Sequence, residues 1–192
     1  DVCSSDLGMA RFTRIRIKTE GIENLPSRPH VIVANHASYL DVFVLAAALP
    51  PLYTFVAKGE FRVNRLLHPF LKGLGSIYVE RLDKEKGYED AKMLADRLRA
   101  GQSLVIFPEG TFTRRPGLLA FHNGAFIAAA EAGIPALPVS VLGTREILGA
   151  ESWLIHRGGS VEIRIGQAIY PDAKEIDPWK AALGLKIGRA HV

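Results

Sequence analysis

Hydrophobic and polar positions change their spacing along the chain, which predicts strands and helices in turn. Residues 11–19 place isoleucine at alternate positions between basic side chains, as in an edge or half-exposed strand. The apolar run within 30–35 predicts a buried strand. The Ala-rich segment from Tyr39 to Leu49 is long enough for a helix, which Pro50 and Pro51 would end.

The rest of the chain continues this alternation. Further strands are predicted at 53–61, 76–81, 103–108 and 136–143. Further helices are predicted at 62–75, 91–98, 123–132 and from Asp177 onward. A hairpin is predicted over 153–166, with its turn at Gly158 and Gly159. The alternation indicates a single α/β domain around a mostly parallel sheet, to which the hairpin adds antiparallel strands at one side.

Composition narrows the class of protein. A chain of 192 residues is the size of one domain, and 48% hydrophobic with 23% charged residues excludes a disordered chain. The net charge is +4, but the basic residues are scattered, which favours an anionic surface or substrate over nucleic acid. No apolar run reaches the roughly 18 residues that a membrane-spanning helix needs.

The two ends of the chain differ from the rest. Residues 1–7 and 187–192 resemble translations of the two strands of one sequencing adapter, so we expect them to be non-native tails. The native segment would then run from about Gly8 to Lys186, truncated at both ends. The tails include Cys3, the only cysteine, so cysteine catalysis and disulfides are not expected in that segment.

The loop between the strand at 30–35 and the following helix contains candidate catalytic residues. Asp41 follows His36 by five residues, which lets its carboxylate fold back toward the imidazole. A carboxylate on one ring nitrogen would leave the other nitrogen available as a general base. Alternatively, Ser38 and Asp41 form a capping box while His36 only fills the loop. Both can hold, because a capping acid has a second oxygen for His36.

A second candidate segment, "FPEGTFTR" at 107–114, follows the most apolar strand. It offers the carboxylate of Glu109, and Gly110 would permit a sharp turn and a close approach of backbone to a ligand. The alternative is an ordinary connection between a strand and a helix. The segment alone does not decide between the two.

Four segments together resemble the sequence blocks of the glycerolipid acyltransferase family. They are "NHASYLD", "GSIYVER", "FPEGT" and "IPALPV", in this order, and the resemblance extends from about Gly21 to Gly166. It is strongest to the bacterial 1-acyl-sn-glycerol-3-phosphate acyltransferases. It implies a glycerol-3-phosphate acyltransferase-like fold and an acyltransferase domain within 8–186.

The resemblance also implies roles for individual residues. His36 corresponds to the base that activates the acceptor hydroxyl, and Asp41 to its support. Residues that correspond to the acceptor-binding positions or their immediate neighbours are Arg81, Glu109, Gly110, Thr111 and Arg114, and the fourth-block proline is Pro138. Alternatively, Arg81 forms a structural pair with Glu80 or Glu109.

The implied reaction moves a fatty acyl group from acyl-CoA or acyl carrier protein to the free hydroxyl of a lysophospholipid. The first candidate acceptor is 1-acyl-sn-glycerol-3-phosphate, with phosphatidic acid as product, and no metal ion, cofactor or covalent acyl-enzyme is required. Phe112, Thr113 and Arg114 stand where many members of the family have arginine or serine, so the acceptor stays open. A non-catalytic lipid-binding relative of the same fold is the alternative.

The resemblance implies a position at the cytoplasmic face of a bacterial inner membrane, either peripheral or anchored by a segment absent from this chain. The basic residues Arg62, Arg65 and Lys72 would suit anionic lipid, although a solvated basic face fits the charge pattern as well.

Other kinds of site fit the sequence less well. No Gly-x-Ser-x-Gly motif surrounds Ser76 or Ser103, so a hydrolase nucleophile is not indicated. The remaining internal histidines lack the spacing of metal ligands and are predicted to be surface or packing residues: His30, His68, His122 and His156.

Overall fold

A seven-stranded sheet forms the centre of the protein. The structure, a computed structural model, describes residues 15–65, 67–80, 84–113, 117–149 and 158–172. The strands are β1 Ile15–Glu20, β2 Val31–Ala34, β3 Tyr53–Lys58, β4 Ile77–Val79, β5 Ser103–Ile106, β6 Ala136–Leu142 and β7 Gly159–Ile165. Their order across the sheet is β1-β7-β6-β2-β5-β3-β4.

The sheet is mostly parallel, as the alternation of strands and helices predicts. Strands β2 to β6 all run in one direction, whereas β7 pairs antiparallel with β6 and parallel with β1. β7 covers the second arm of the predicted hairpin, but its antiparallel partner is β6 and its other neighbour is β1. The predicted first arm, residues 153–157, lies outside the described residues. β1 is an edge strand in which Ile15 is buried and each basic residue is exposed, as its alternating pattern predicts.

Five helices connect the described strands. They are α1 Leu40–Ala48, α2 Leu67–Gly73, α3 Lys84–Arg99, α4 Gly124–Ala132 and α5 Thr144–Ile147. The described residues also include two 3₁₀ turns, Ile22–Asn24 and Gly59–Val63. The sequence did not predict these turns or α5, because segments of three to five residues are too short to show a helical period.

The helix predicted at 62–75 is shorter than expected. Residues up to Val63 belong to the 3₁₀ turn, and Asn64 follows it in an extended conformation. The Asn64 side chain then accepts a hydrogen bond from the Leu67 backbone N–H at 3.0 Å, so α2 begins only after this residue. The helix predicted from Asp177 and both predicted tails lie outside the described residues.

Helices cover both faces of the sheet and create two hydrophobic cores. In β2, Val31 and Val33 belong to the core with α3 and α4, while Ile32 and Ala34 belong to the core with α1. A strand that is buried on both faces needs apolar residues at every position, which explains its uninterrupted run. No helix among the described residues is long and apolar enough to cross a membrane.

Candidate active site

The candidate site lies at the edge of the sheet where the parallel strands end. The loop with His36 follows β2, and the segment with Glu109 follows β5, its neighbour on one side. β6 pairs with β2 on the other side and leads into α5. Three loops that are distant in sequence therefore meet here, which is where parallel α/β sheets commonly bind ligands.

His36 and Asp41 are in direct contact. The Nδ1 atom of His36 lies 2.9 Å from the Oδ2 atom of Asp41, whose side chain is fully buried. The same oxygen accepts the backbone N–H groups of Ala37 at 2.6 Å and Ser38 at 2.8 Å. A carboxylate that accepts these bonds assigns the His36 proton to Nδ1, which makes Nε2 the nitrogen able to take a proton.

The capping alternative describes part of the same geometry. Asp41 accepts the Ser38 N–H as a capping acid does, yet the N-cap of α1 is Tyr39 and no side chain caps it. The Ser38 hydroxyl instead accepts the Leu40 N–H and donates to the Leu148 carbonyl. Asp41 thus binds both the His36 ring and the Ser38 backbone N–H. The prediction that it would use a separate oxygen for each was wrong, because Oδ2 accepts both hydrogen bonds.

Two aromatic rings enclose the His36 imidazole. Phe107, directly after β5, stacks on it with ring centroids 4.3 Å apart, and Phe112 meets it edge-on at 4.6 Å. Phe112 also contacts the ring of Tyr39 at 4.9 Å. Phe112, one of the three residues at the predicted departure from the family pattern, therefore packs beside the imidazole.

Glu109 supports the backbone of the site. It is buried, and its Oε1 accepts the His36 N–H at 2.8 Å while its Oε2 accepts the Leu119 N–H at 2.7 Å. Gly110 follows with a φ of 72°, in the left-handed region that favours glycine. Thr111 is exposed. The acceptor-binding roles of these three residues stay predictions.

Arg81 and Arg114 lie outside the described residues, so their predicted contacts with the acceptor also stay predictions. The alternative pairing of Arg81 with Glu80 or Glu109 is equally untested. Within the described part of the chain, Pro138 is buried in β6 opposite Val33 of β2.

An apolar pocket opens beside His36 and Gly110. Most of its lining is aromatic or aliphatic and comes from α1, β3, the turn Gly59–Val63 and α2. The other lining residues are Tyr39, Val42, Phe43, Phe55, Val56, Ala57, Lys58, Phe61, Leu67, Phe70, Leu71 and Phe107. Phe43 and Phe70, which both line the pocket, stack on each other with ring centroids 4.0 Å apart. Such a surface suits a hydrocarbon chain.

Two further residues of the site, Asn35 and Thr144, were not among the predicted site residues. The Asn35 side chain donates to the Val141 carbonyl at 2.9 Å and accepts its N–H at 2.7 Å, which ties the His36 loop to β6. The Thr144 hydroxyl, fully buried, donates to Oδ1 of Asp41 at 2.5 Å. A Gly-Thr pair directly after a strand was the available signal for Thr144, but the pair alone does not indicate its partner.

The described residues contain no group of three or more His, Cys, Asp or Glu side chains arranged to hold a metal ion. The polar groups that meet here are instead one imidazole, one carboxylate on its Nδ1, and a second carboxylate on its backbone. This set can hold an imidazole by Nδ1 and by its backbone, so that Nε2 is directed to a substrate proton.

Comparison with known proteins identifies the family. The sequence profile of the Acyltransferase family matches residues 16–142. The chain is 32% identical over 165 residues to the 1-acyl-sn-glycerol-3-phosphate acyltransferase LPAT1 of Arabidopsis thaliana, covering 84% of this chain and 46% of that protein. It is also 32% identical to the lyso-ornithine lipid O-acyltransferase of Pseudomonas aeruginosa, covering 75% of this chain and 60% of that protein.

The fold has a counterpart among solved structures. The 1-acyl-sn-glycerophosphate acyltransferase PlsC from Thermotoga maritima superposes with a TM-score of 0.70 at 23% identity, covering 95% of this chain and 74% of that one. The α/β fold is therefore shared with that acyltransferase. The profile match over residues 16–142 shows that the chain belongs to the Acyltransferase family. The chain covers 46% of LPAT1 and 44% of the 1-acyl-sn-glycerol-3-phosphate acyltransferase BAT2 of Brassica napus, so it spans about half the length of these relatives.

Proposed function

We propose that this chain carries the catalytic site of an acyltransferase that moves a fatty acyl group from a thioester to the free hydroxyl of a lysophospholipid. The observation that supports this most directly is His36, whose Nδ1 is held by Asp41 beside an apolar pocket. A base next to a hydrocarbon-binding surface suits a reaction between a hydroxyl and a fatty acyl group. Membership of the family agrees with it.

In the proposed reaction, Nε2 of His36 takes the proton from the acceptor hydroxyl as its oxygen attacks the thioester carbonyl carbon. The tetrahedral intermediate then collapses, the carbon–sulfur bond breaks, and the thiolate leaves with the proton from His36. Asp41 stabilises the imidazolium that exists between these steps. The sum is an ester and a free thiol, and it uses no metal ion or other cofactor.

The apolar pocket is the proposed position of a fatty acyl chain. Phe43 and Phe70 stack on each other and both line the pocket, so this pair would limit how long or how bulky a chain fits. Phe43→Ala should therefore shift the preference among saturated thioesters toward longer or branched chains. Unchanged preference would argue that the chain lies elsewhere.

The donor and the acceptor are finer proposals. We take acyl-CoA or acyl carrier protein as donor and 1-acyl-sn-glycerol-3-phosphate as first acceptor, because several relatives are named for that acceptor. A relative of similar identity is named for a lyso-ornithine lipid, so both acceptors should be compared. Arg81 is the proposed phosphate ligand, since arginine stays charged and binds phosphate oxygens in pairs.

Arg81 has a kinetic test. Arg81→Ala should raise the Michaelis constant for the phosphate acceptor and leave that for the donor nearly unchanged, and Arg81→Lys should restore only part of the loss. A lower Tm with both constants near normal would instead indicate a structural pair with Glu80 or Glu109.

Thiol release from acyl-CoA tests the proposed function as a whole. Release should depend on added lysophospholipid, and the acylated product should appear in equal amount. Binding of lipid without thiol release, with both CoA and carrier-protein donors, would favour a non-catalytic lipid-binding protein.

A membrane surface is the proposed partner, at the cytoplasmic face of a bacterial inner membrane. The turn Gly59–Val63 and helix α2 line the apolar pocket with Phe61 and Phe70. Three basic residues in and between these two segments are exposed: Arg62, Arg65 and Lys72. Val63, which lies beside them, is 84% exposed. Cations around an exposed apolar residue complement an anionic lipid surface next to a site for lipid.

Sedimentation with vesicles tests this surface. Binding should be stronger to phosphatidylglycerol than to phosphatidylcholine vesicles, and Arg65→Glu with Lys72→Glu should weaken it roughly tenfold or more. Lys92→Glu with Arg97→Glu makes the same change in net charge at exposed positions of α3 and should leave binding nearly unchanged. Equal loss in both pairs would indicate a general charge effect rather than a docking surface.

A further inference from the structure

Both oxygens of the buried Asp41 carboxylate are occupied, and they have different kinds of partner. Oδ2 accepts His36 Nδ1 and two backbone N–H groups from its own loop. Oδ1 accepts the hydroxyl of Thr144, which lies 103 residues further along the chain. Among the described residues, Thr144 is thus the donor to Oδ1, the Asp41 oxygen that does not bind the imidazole.

The backbone around Thr144 leaves little freedom in where its hydroxyl lies. Thr144 begins helix α5, and Gly143 before it has a φ of 88°. A Cβ atom at Gly143 would lie 2.2 Å from the Ser160 carbonyl oxygen of β7, so only glycine fits this close approach. At the end of α5, Ile147 is buried against Gly159. The two ends of the short helix are therefore both packed on β7.

We infer that Thr144 is a positioning residue for the His36–Asp41 pair, an inference that rests on the proposed role of His36 as a base. Its hydroxyl fixes the rotation of the Asp41 carboxylate about the Cβ–Cγ bond, so that Oδ2 stays directed at Nδ1 of His36. It also supplies the donor that a buried carboxylate oxygen requires. Without it, the carboxylate would turn toward other donors and weaken its support of the imidazole.

Thr144→Val tests the inference because valine keeps the shape of threonine and lacks only the hydroxyl. The turnover number kcat should fall roughly ten- to hundredfold, the loss expected for one hydrogen bond to a charged group. Both Michaelis constants should stay near normal, and Thr144→Ser should restore most of the activity. The downfield proton resonance expected for Nδ1–H of His36 should shift upfield or broaden in the valine variant.

A matched control separates positioning from stability. Ile147→Val perturbs the packing of the same short helix without touching Asp41, so it should lower Tm and leave kcat and the Nδ1–H resonance unchanged. If Thr144→Val behaves like this control, with only a lower Tm, Thr144 is a structural residue and the inference is wrong.

Combination with Asp41→Asn separates this inference from the proposed function. If Thr144 acts only through the Asp41 carboxylate, the double variant should be no less active than Asp41→Asn alone. Independent, multiplying losses would overturn the positioning role. If His36→Ala keeps full activity, the proposed function fails, whatever Thr144→Val does.

Discussion

Two histidines flank strand β2, one at each end, but their imidazole rings bind different groups. His30 precedes β2 and His36 follows it two residues beyond the strand end. Both backbone N–H groups donate to a side chain at an end of β5: His30 to the Ser103 hydroxyl at 3.3 Å, and His36 to Glu109 at 2.8 Å. The backbone settings are therefore similar, and the difference lies in the imidazoles.

Both ring nitrogens of His30 are used within the protein. Nδ1 lies 2.8 Å from the Arg28 carbonyl oxygen, to which it donates, so Nε2 accepts the Tyr53 hydroxyl at 2.7 Å. Burial lowers the pKa of His30 and raises the pKa of Tyr53 to about 12, so the pair stays neutral at physiological pH. His30 is the packing residue that its sequence context predicts.

The ring of His36 has a carboxylate in place of the carbonyl and opens on the apolar pocket. A carboxylate can stabilise a positive imidazolium, which a carbonyl oxygen does far less. The comparison teaches that the residue type and the strand do not make a histidine a candidate base. What distinguishes His36 is the charge of the partner on its Nδ1 atom and its position at the apolar pocket.

The largest difference is expected when each imidazole is removed. His36→Ala should reduce kcat roughly 10²- to 10⁴-fold, the contribution of general acid–base catalysis, with little change in Tm. Acceptor-dependent thiol release at saturating substrate measures this. His30→Ala should do the reverse: a lower Tm and near-normal kcat per folded molecule. Similar activity losses in both variants would end the distinction between the two histidines.

The next largest effect is expected when the charge of Asp41 is removed. In Asp41→Asn, the amide oxygen can accept the donors at Oδ2 while the amide NH₂ donates to the Thr144 hydroxyl, so the hydrogen bonds survive and the charge does not. We expect kcat to fall roughly 10²-fold or more, with the free energy of unfolding changed by under about 1 kcal/mol.

Kinetics and denaturant unfolding of the Asp41→Asn variant measure these two effects. Retained activity together with a large loss of stability would reduce Asp41 to a residue that orders the loop.

Glu109 and Ser103 accept the backbone N–H groups of His36 and His30, so their variants compare the backbone settings of the two histidines. Glu109→Gln keeps an oxygen for one of its two backbone donors but presents an NH₂ group to the other, which should destabilise the fold by roughly 1–3 kcal/mol and lower kcat by displacing His36. Ser103→Ala removes the weaker bond to His30 and should change only stability, by roughly 1 kcal/mol. Urea unfolding and kcat, measured for both variants, test the contrast.

The smallest expected effect is the pH dependence that His30 adds to stability. Because its folded pKa is depressed, the unfolded state binds more protons than the folded state between that pKa and about 6.5, the ordinary value. The stability that neutral His30 contributes is complete above pH 6.5 and is lost as the pH falls through this window. His30→Gln should have a flatter unfolding free energy between pH 7.5 and 5.5.

Identical slopes in the wild type and the His30→Gln variant would show that His30 takes up a proton in the folded state as readily as in the unfolded one.

The sequence by itself determined the features that depend on neighbours along the chain. The apolar run of β2, the alternation in β1 and the ends of α1 follow from periodicity and prolines, and the approach of Asp41 to His36 spans only five residues. Positions this close are related by local backbone geometry alone, so their spacing carries the information.

Only the tertiary structure decided which contacts complete the site. Glu109 meets His36 across 73 residues, Thr144 meets Asp41 across 103, and Asn35 meets Val141 across 106. These contacts depend on the order β6-β2-β5 and on the register of those strands. Strand order results from how whole helices and strands pack into two cores, so no local spacing in the chain records it.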